Sequence, residues 1–157
     1  MRKIGIIAVL ALLVTAIAAV PALAQSGHFV GTPTCTDEGT VLQCDAKVAG
    51  LGGTTFQLDI AAPNSTAIVE CSNPAGNVAP GQDTTVTATG TSGPLATPRN
   101  GSFTFRNVET VTPTVPNTPT CPNRKWTANV TDVEFGDATL TLRENGAISD
   151  QITVPVN

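Results

Sequence analysis

The sequence predicts an all-β fold, and three observations support that prediction. After residue 24 the chain is rich in Thr, Gly, Pro, Asn and Val and poor in Leu, Lys and Glu, a composition that favours strands and turns over helices. No stretch there has apolar residues at helical spacing over three turns, whereas apolar and polar residues alternate repeatedly. Clusters of Gly, Pro and Asn separate the alternating runs, as expected for turns.

The alternation defines the strands in order along the chain. It is clearest at 42–48, 56–60, 103–106 and 139–143, where one face is apolar and the other polar, the pattern of an antiparallel sheet with one buried face. Together with other β-rich runs, it predicts strands at 28–32, 41–48, 54–61, 66–71, 84–90, 102–109, 126–134, 138–143 and 148–154.

Eight or nine short strands with turns between them predict an antiparallel two-sheet sandwich, immunoglobulin-like in its general architecture. The sole tryptophan, Trp126, is expected to fill the core between the sheets. Segment 113–122 carries four prolines and is expected to be extended and polyproline-like. For the last hairpin, a three-residue loop at 144–146 is favoured over a two-residue turn because it sets Leu142 opposite Ile148.

The N-terminal segment predicts export. Arg2 and Lys3 precede an apolar run over 4–20, and residues 21–24 end in a small-x-small pattern that resembles a signal-peptidase site. Residues 1–24 are therefore expected to be a signal peptide, and residues 25–157 a single secreted domain of 133 residues.

The charge balance limits the partners. Without Arg2 and Lys3 the chain has six basic and twelve acidic residues, a net charge of −6. Nucleic acids and anionic membranes would need a basic patch, so neither is an expected partner. No second apolar run has spanning length, and membrane insertion after signal removal is not expected. The expected partner is an unidentified protein or cell-surface component.

All four cysteines lie in the exported part, and an even number in an oxidising compartment predicts two disulfides. Four cysteines allow three pairings, of which Cys35–Cys44 and Cys71–Cys121 are favoured, because residues 36–40 between the first pair resemble a turn. A metal site is the alternative, although no pair has the C-x-x-C spacing of zinc sites.

Catalytic candidates are few. His28 is the only histidine, lies near the expected mature N-terminus and has no nucleophile motif near it. Asp132 and Glu134 share one strand face with Asp137 in the next turn. They could form part of a glycosidase pair or a calcium site, but solubilising surface charge explains them better. No catalytic, cofactor-binding or metal-binding residue is therefore assigned.

A recognition loop is predicted at residues 121–126. Pro122, Asn123, Arg124 and Lys125 follow the proline-rich segment and a cysteine, an arrangement that resembles the rigid reactive loop of secreted serine-protease inhibitors. Arg124 or Lys125 would be the specificity residue.

Phrases such as Lys47-Val48-Ala49-Gly50-Leu51-Gly52 and Asn77-Val78-Ala79-Pro80-Gly81-Gln82 resemble small secreted actinobacterial β-rich proteins. That resemblance implies export and β-structure, and it implies no activity. The leading hypothesis is a disulfide-stabilised β-sandwich with a binding or structural role at the cell exterior and no catalysis. The alternatives are a protease inhibitor acting through 121–126 and, less favoured, a hydrolase or calcium-binding module using acidic residues 132–137.

Overall fold

The structure, a computed structural model, describes residues 27–157, and the predicted signal peptide and its cleavage site lie outside this range. The described chain contains one helical turn, α1, and eleven strands. The strands are β1 His28–Phe29, β2 Thr34–Asp37, β3 Leu42–Ala49, β4 Thr55–Ser72, β5 Val78–Pro80, β6 Thr84–Thr91, β7 Leu95–Ala96, β8 Phe103–Val111, β9 Thr127–Glu134, β10 Ala138–Glu144 and β11 Ala147–Val154, and α1 is Asn117–Thr120. No helix of this range could span a membrane.

The strands form one antiparallel sheet that nearly closes on itself. Its order is β1-β3-β8-β6-β4-β10-β11, with β2 beside β3 and with β5, β7 and β9 beside β4. The two end strands of this order, β1 and β11, approach each other where the N–H of Phe29 donates to the carboxylate of Asp150 over 2.8 Å. At the C-terminus Val156 forms a parallel bridge with Cys35, and the N–H of Asp37 donates to the carbonyl of Asn157.

This architecture confirms the all-β prediction and differs from the predicted sandwich of eight or nine strands. The number of strands differs because the strands predicted at 54–61 and 66–71 are one strand, and because the short strands β2, β5 and β7 were not predicted. Strands β1 and β2 follow one another along the same edge of β3, β1 beside its end and β2 beside its beginning. The outcome is a barrel-like sheet of eleven strands.

Strand β4 unites two strands that the sequence predicts separately. Pro63 and Asn64 lie in a bulge, where the pairing with β6 shifts between Ala62 and Ser65, and Asn64 has a φ of 59°. A bulge is one of the few places where a sheet accepts proline. The buried Ser65 hydroxyl donates to the carbonyl of Ala62 and accepts the N–H of Gly136. The predicted break is therefore a bend within one strand of 18 residues.

The partners of β4 bend with it. Strand β10 pairs with residues 56–61 and β9 pairs with 66–72, so these two strands follow one another along the same edge. Gly136 lies at the join, where a Cβ would be 2.7 Å from the carbonyl oxygen of Pro63. The first half of β4 lines the main core, and its second half extends beyond it with β9, β5 and the start of β6.

The core has the side chains that the alternation places on one face. Phe56, Leu58 and Ile60 of β4 are at most 2% exposed and pack with Leu140 and Leu142 of β10. Burying apolar surface of this kind is the main stabilising contribution to folding. Trp126 does not belong to this cluster and is half-buried, so the prediction that it fills the core is wrong. Its position at the end of a tight turn, just before β9, places it outside the barrel.

The C-terminal hairpin corrects a second prediction. Its turn has two residues, Asn145 and Gly146, with φ of 48° and 83°, which suits the primed turns of two-residue hairpins. The three-residue loop at 144–146 is wrong because Ser149 is an extra residue in β11. That bulge brings Leu140 opposite Ile152 without lengthening the turn.

Glu144, which begins this turn, is fully buried. Its carboxylate accepts backbone N–H bonds from Gly27 over 2.9 Å, from Gly52 over 2.7 Å and from Gly53 over 3.1 Å. The beginning of the described chain and the loop between β3 and β4 are thereby fixed to the last hairpin. Charge-assisted bonds of this type are stronger than neutral ones.

Both disulfides have the pairing favoured by the sequence. Cys35 and Cys44 face each other across β2 and β3, with 4.2 Å between their Cα atoms. The bond between Cys71 and Cys121 joins the end of β4 to the residue that follows α1. The proline-rich segment, predicted to be extended, turns at α1, where the N–H of Cys121 donates to the carbonyl of Asn117 over 2.8 Å. Pro116 before the turn and Thr118 within it keep extended backbone dihedrals, so the prediction holds for part of the segment.

Candidate functional site

Strands β6 and β8 meet at a short junction. These strands pair only where Thr89 meets Val111 and Gly90 meets Thr110. A Cβ on Gly90 would overlap the carbonyl oxygen of Glu109 and lie 2.8 Å from the Cα of Thr110. Glycine is therefore required for the backbones to approach at this point. The strands diverge on both sides of the junction, and each divergence leaves a cleft.

The first opening, which we call the β6 cleft, lies between β6 and segment 112–116. Its volume is about 470 Å³, within the range of pockets that hold small ligands. One wall is the edge of β6 and the other is the segment after β8, called here the proline segment. The lining residues are Thr84, Thr85, Val86, Thr87, Thr89, Val111, Thr112, Pro113, Thr114, Val115 and Pro116.

The β6 cleft is uncharged although the chain is acidic. Its lining consists of threonine, valine and proline, and none of these residues carries a charge. Val111 is 74% exposed, more than any other large apolar residue of the described chain. With the other valines and the prolines of the lining, Val111 gives the cleft apolar surface beside threonine hydroxyl groups, a combination suited to contact with a partner.

The proline segment has a second face. On its other side, residues 112–115 and residues 128–130 of β9 line a smaller opening of about 420 Å³. The segment is thus a ridge between two grooves. Pro113 and Pro116 restrict its backbone, so it offers a wall with limited freedom.

The end of this ridge is fixed to the sheet beneath it. The disulfide between Cys71 and Cys121 attaches the residue after α1 to β4. The N–H of Gln82 donates to the carbonyl of Thr120 over 2.9 Å, and the N–H of Ala128 donates to the side chain of Asn117 over 2.9 Å. These contacts fix the end of the proline segment, and the pairing of Val111 with Thr89 fixes its beginning. Restricting the segment at both ends reduces the entropy lost on binding.

The second divergence forms another opening, the β8 cleft, of about 460 Å³. Leu95, Phe103 and Phe105 contribute apolar surface to it, and Arg106 and Glu109 contribute charge. The phenylalanine rings serve the core, since Phe103 packs edge to face against Phe56 and Phe105 at centroid distances of 5.1 and 5.0 Å. The β8 cleft is therefore an opening over core side chains.

The predicted recognition loop is exposed and forms a tight turn. Pro122, Asn123, Arg124 and Lys125 are all exposed. The N–H of Trp126 donates to the carbonyl of Asn123 over 3.1 Å, and the N–H of Lys125 donates to the Asn123 side chain over 3.0 Å. This backbone is folded, whereas the resemblance to a reactive loop requires an extended one.

The acidic candidates are also exposed. Asp132 and Glu134 of β9 lie opposite Ile68 and Thr66 of β4 in the sheet. Asp137 lies in the connection between β9 and β10. Within residues 27–157 no group of three or more acidic, histidine or cysteine residues is arranged to hold a metal ion. His28 lies in β1, opposite Ala49, and outside all the clefts described above.

The β6 cleft was missed by sequence reasoning, although two signals lie in the sequence. Residues 84–91 contain five threonines and no charge, which is unusual for an exposed strand in an acidic chain. The four prolines of 113–122 predict an extended segment, and its first part forms the ridge between the two openings. What links the two segments is the divergence of β6 from β8, and neither segment shows this by itself.

The fold and this cleft define a disulfide-stabilised β protein with an uncharged surface groove. Comparison with protein-family models, with curated proteins and with solved structures found no match to this chain.

Proposed function

We propose that the mature protein, residues 25–157, is secreted and acts by binding a component of the cell exterior through the β6 cleft, without catalysis. The signal-like segment at residues 1–24 supports export. The two disulfides support an oxidising compartment, because such bonds persist mainly outside the cytosol.

The observation that carries the proposal is the uncharged lining of a cleft whose proline segment is held at both ends. The cleft combines threonine hydroxyls with the exposed Val111, which provides both directional hydrogen bonding and apolar contact. None of its lining residues offers a carboxylate, an imidazole or an amine. The cleft is therefore suited to recognition, since acid–base catalysis needs such groups.

The test is binding of the labelled mature protein to washed cells of the organism that produces it. In the Thr87→Arg variant a long cationic side chain enters the cleft from an exposed strand position. The matched control is Thr153→Arg, at an exposed threonine of β11 outside the cleft.

We expect the wild type and Thr153→Arg to bind equally. Thr87→Arg should bind about tenfold more weakly, because an uncharged site has no partner for a desolvated cation. Equal binding by all three proteins, or no binding by the wild type, would contradict the proposal. Circular dichroism of each variant shows whether the fold is retained.

A further inference from the structure

The edge of β6 that faces the cleft is open at the main chain. On its other side β6 pairs with β4 over almost its whole length. On the cleft side β8 reaches only residues 89 and 90, and no backbone bond within the described chain covers this edge over residues 84–88. An edge with vacant N–H and C=O groups can accept another strand.

The chemistry and shape of the cleft indicate what would pair there. Five residues of β6 give an edge of about 16 Å, long enough for a short strand. The proline segment flanks that edge, so an occupant has to lie between two walls. A single extended chain fits between these walls, whereas the proline segment would block the edge of a second folded sheet.

The charge of the cleft selects among extended chains. Because its lining has no charged residue, a charged side chain entering it would lose hydration without gaining a partner. Uncharged side chains would contact the threonine hydroxyls and the exposed Val111. The complementary occupant is therefore an uncharged segment with a free main chain.

We propose that the β6 cleft binds an extended, uncharged segment of another polypeptide, which adds to the sheet as a strand beside residues 84–88. Main-chain hydrogen bonds to β6 would supply affinity, and the cleft side chains would supply specificity. This inference rests on the proposed function and names the partner of the same cleft.

The experiment is selection of a random peptide library on the immobilised mature protein, with the selected peptides then tested against variants. We expect uncharged peptides that bind the wild type and Thr153→Arg equally and bind Thr87→Arg about tenfold more weakly. Methylation of alternate backbone nitrogens in such a peptide should abolish its binding, because it removes the N–H donors that a strand uses.

Two results would overturn strand addition: no peptide that distinguishes the wild type from Thr87→Arg, or peptides that tolerate methylation at every backbone nitrogen. If Thr87→Arg still loses binding to cells, the cleft binds a component other than a polypeptide strand, and only the proposed function stands. Conversely, peptides with the expected behaviour but no binding to cells would remove the proposed role at the cell exterior and leave strand addition supported.

Discussion

Gly90 of β6 lies against Thr110 of β8 with no space for a Cβ between the two backbones. This contact sets where the strands meet and hence where they diverge. The β6 cleft begins next to it, at Thr89 and Val111. A single close approach therefore positions the surface to which we assign binding.

Gly90→Ala should destabilise the protein. The new methyl group would overlap the Glu109 carbonyl, and overpacking of this kind typically costs about 1–3 kcal/mol. Urea denaturation followed by circular dichroism measures the loss. Thr89→Ala is the control, since it removes atoms at the same junction. Equal stability of Gly90→Ala and the wild type would show that the strands do not meet as described.

Glu144→Gln should also lower the free energy of unfolding. The substitution keeps the size of the side chain but replaces an acceptor oxygen with an NH₂ group facing backbone donors. Loss of hydrogen bonds to a charged group costs about 1.5–3 kcal/mol. Glu134→Gln, at an exposed position of β9, should change stability little. A similar effect of both substitutions on the denaturation midpoint would refute the role assigned to Glu144.

The two disulfides should contribute unequally to stability. In the chain-entropy model the loop between Cys71 and Cys121 is worth about 4 kcal/mol, and the loop between Cys35 and Cys44 about 2.7. Replacing each pair by alanine should therefore destabilise the protein more in the first case. The reverse order in guanidinium denaturation would show that local packing outweighs loop length.

The loop at 121–126 should not act as a protease inhibitor. Hydrogen bonds to Asn123 fold it into a turn, which does not present an extended backbone to a protease. The purified protein in molar excess should leave trypsin activity unchanged. If the protein inhibits trypsin and the Arg124→Ala, Lys125→Ala double variant does not, the inhibitor hypothesis is restored. The turn at Asn123 would then not prevent the loop from binding a protease.

The sequence predicts the strands that alternate strongly, such as β3 and β10, and the pairing of the cysteines. Prediction from the sequence fails where the local residues favour a loop but contacts with distant residues continue the strand. Pro63 and Asn64 are typical of a loop, yet the bonds of Ser65 and the space left by Gly136 let the strand continue through a bulge. A bulge also explains the wrong prediction for the last hairpin, because the extra residue Ser149 shifts the pairing of β11 with β10.

The candidate site was harder to predict because it depends on segments distant in sequence. Thr87 and Val115 lie on opposite sides of the same cleft, and no local pattern relates them. Their placement follows from the β6–β8 junction and from the disulfide that fixes the end of the ridge. Trp126 also shows that residue type alone does not fix a position in the fold, since this large aromatic residue was predicted for the core and lies outside it.

Amide hydrogen exchange of β6 in the isolated mature protein tests the central claim most directly, because strand addition requires a vacant edge. Within residues 84–88, the amides that point toward β4 should be protected, and those that point into the cleft should exchange rapidly. Protection of every amide in this segment would show that the edge is already covered, and would contradict the assignment of the β6 cleft as a binding site for a strand.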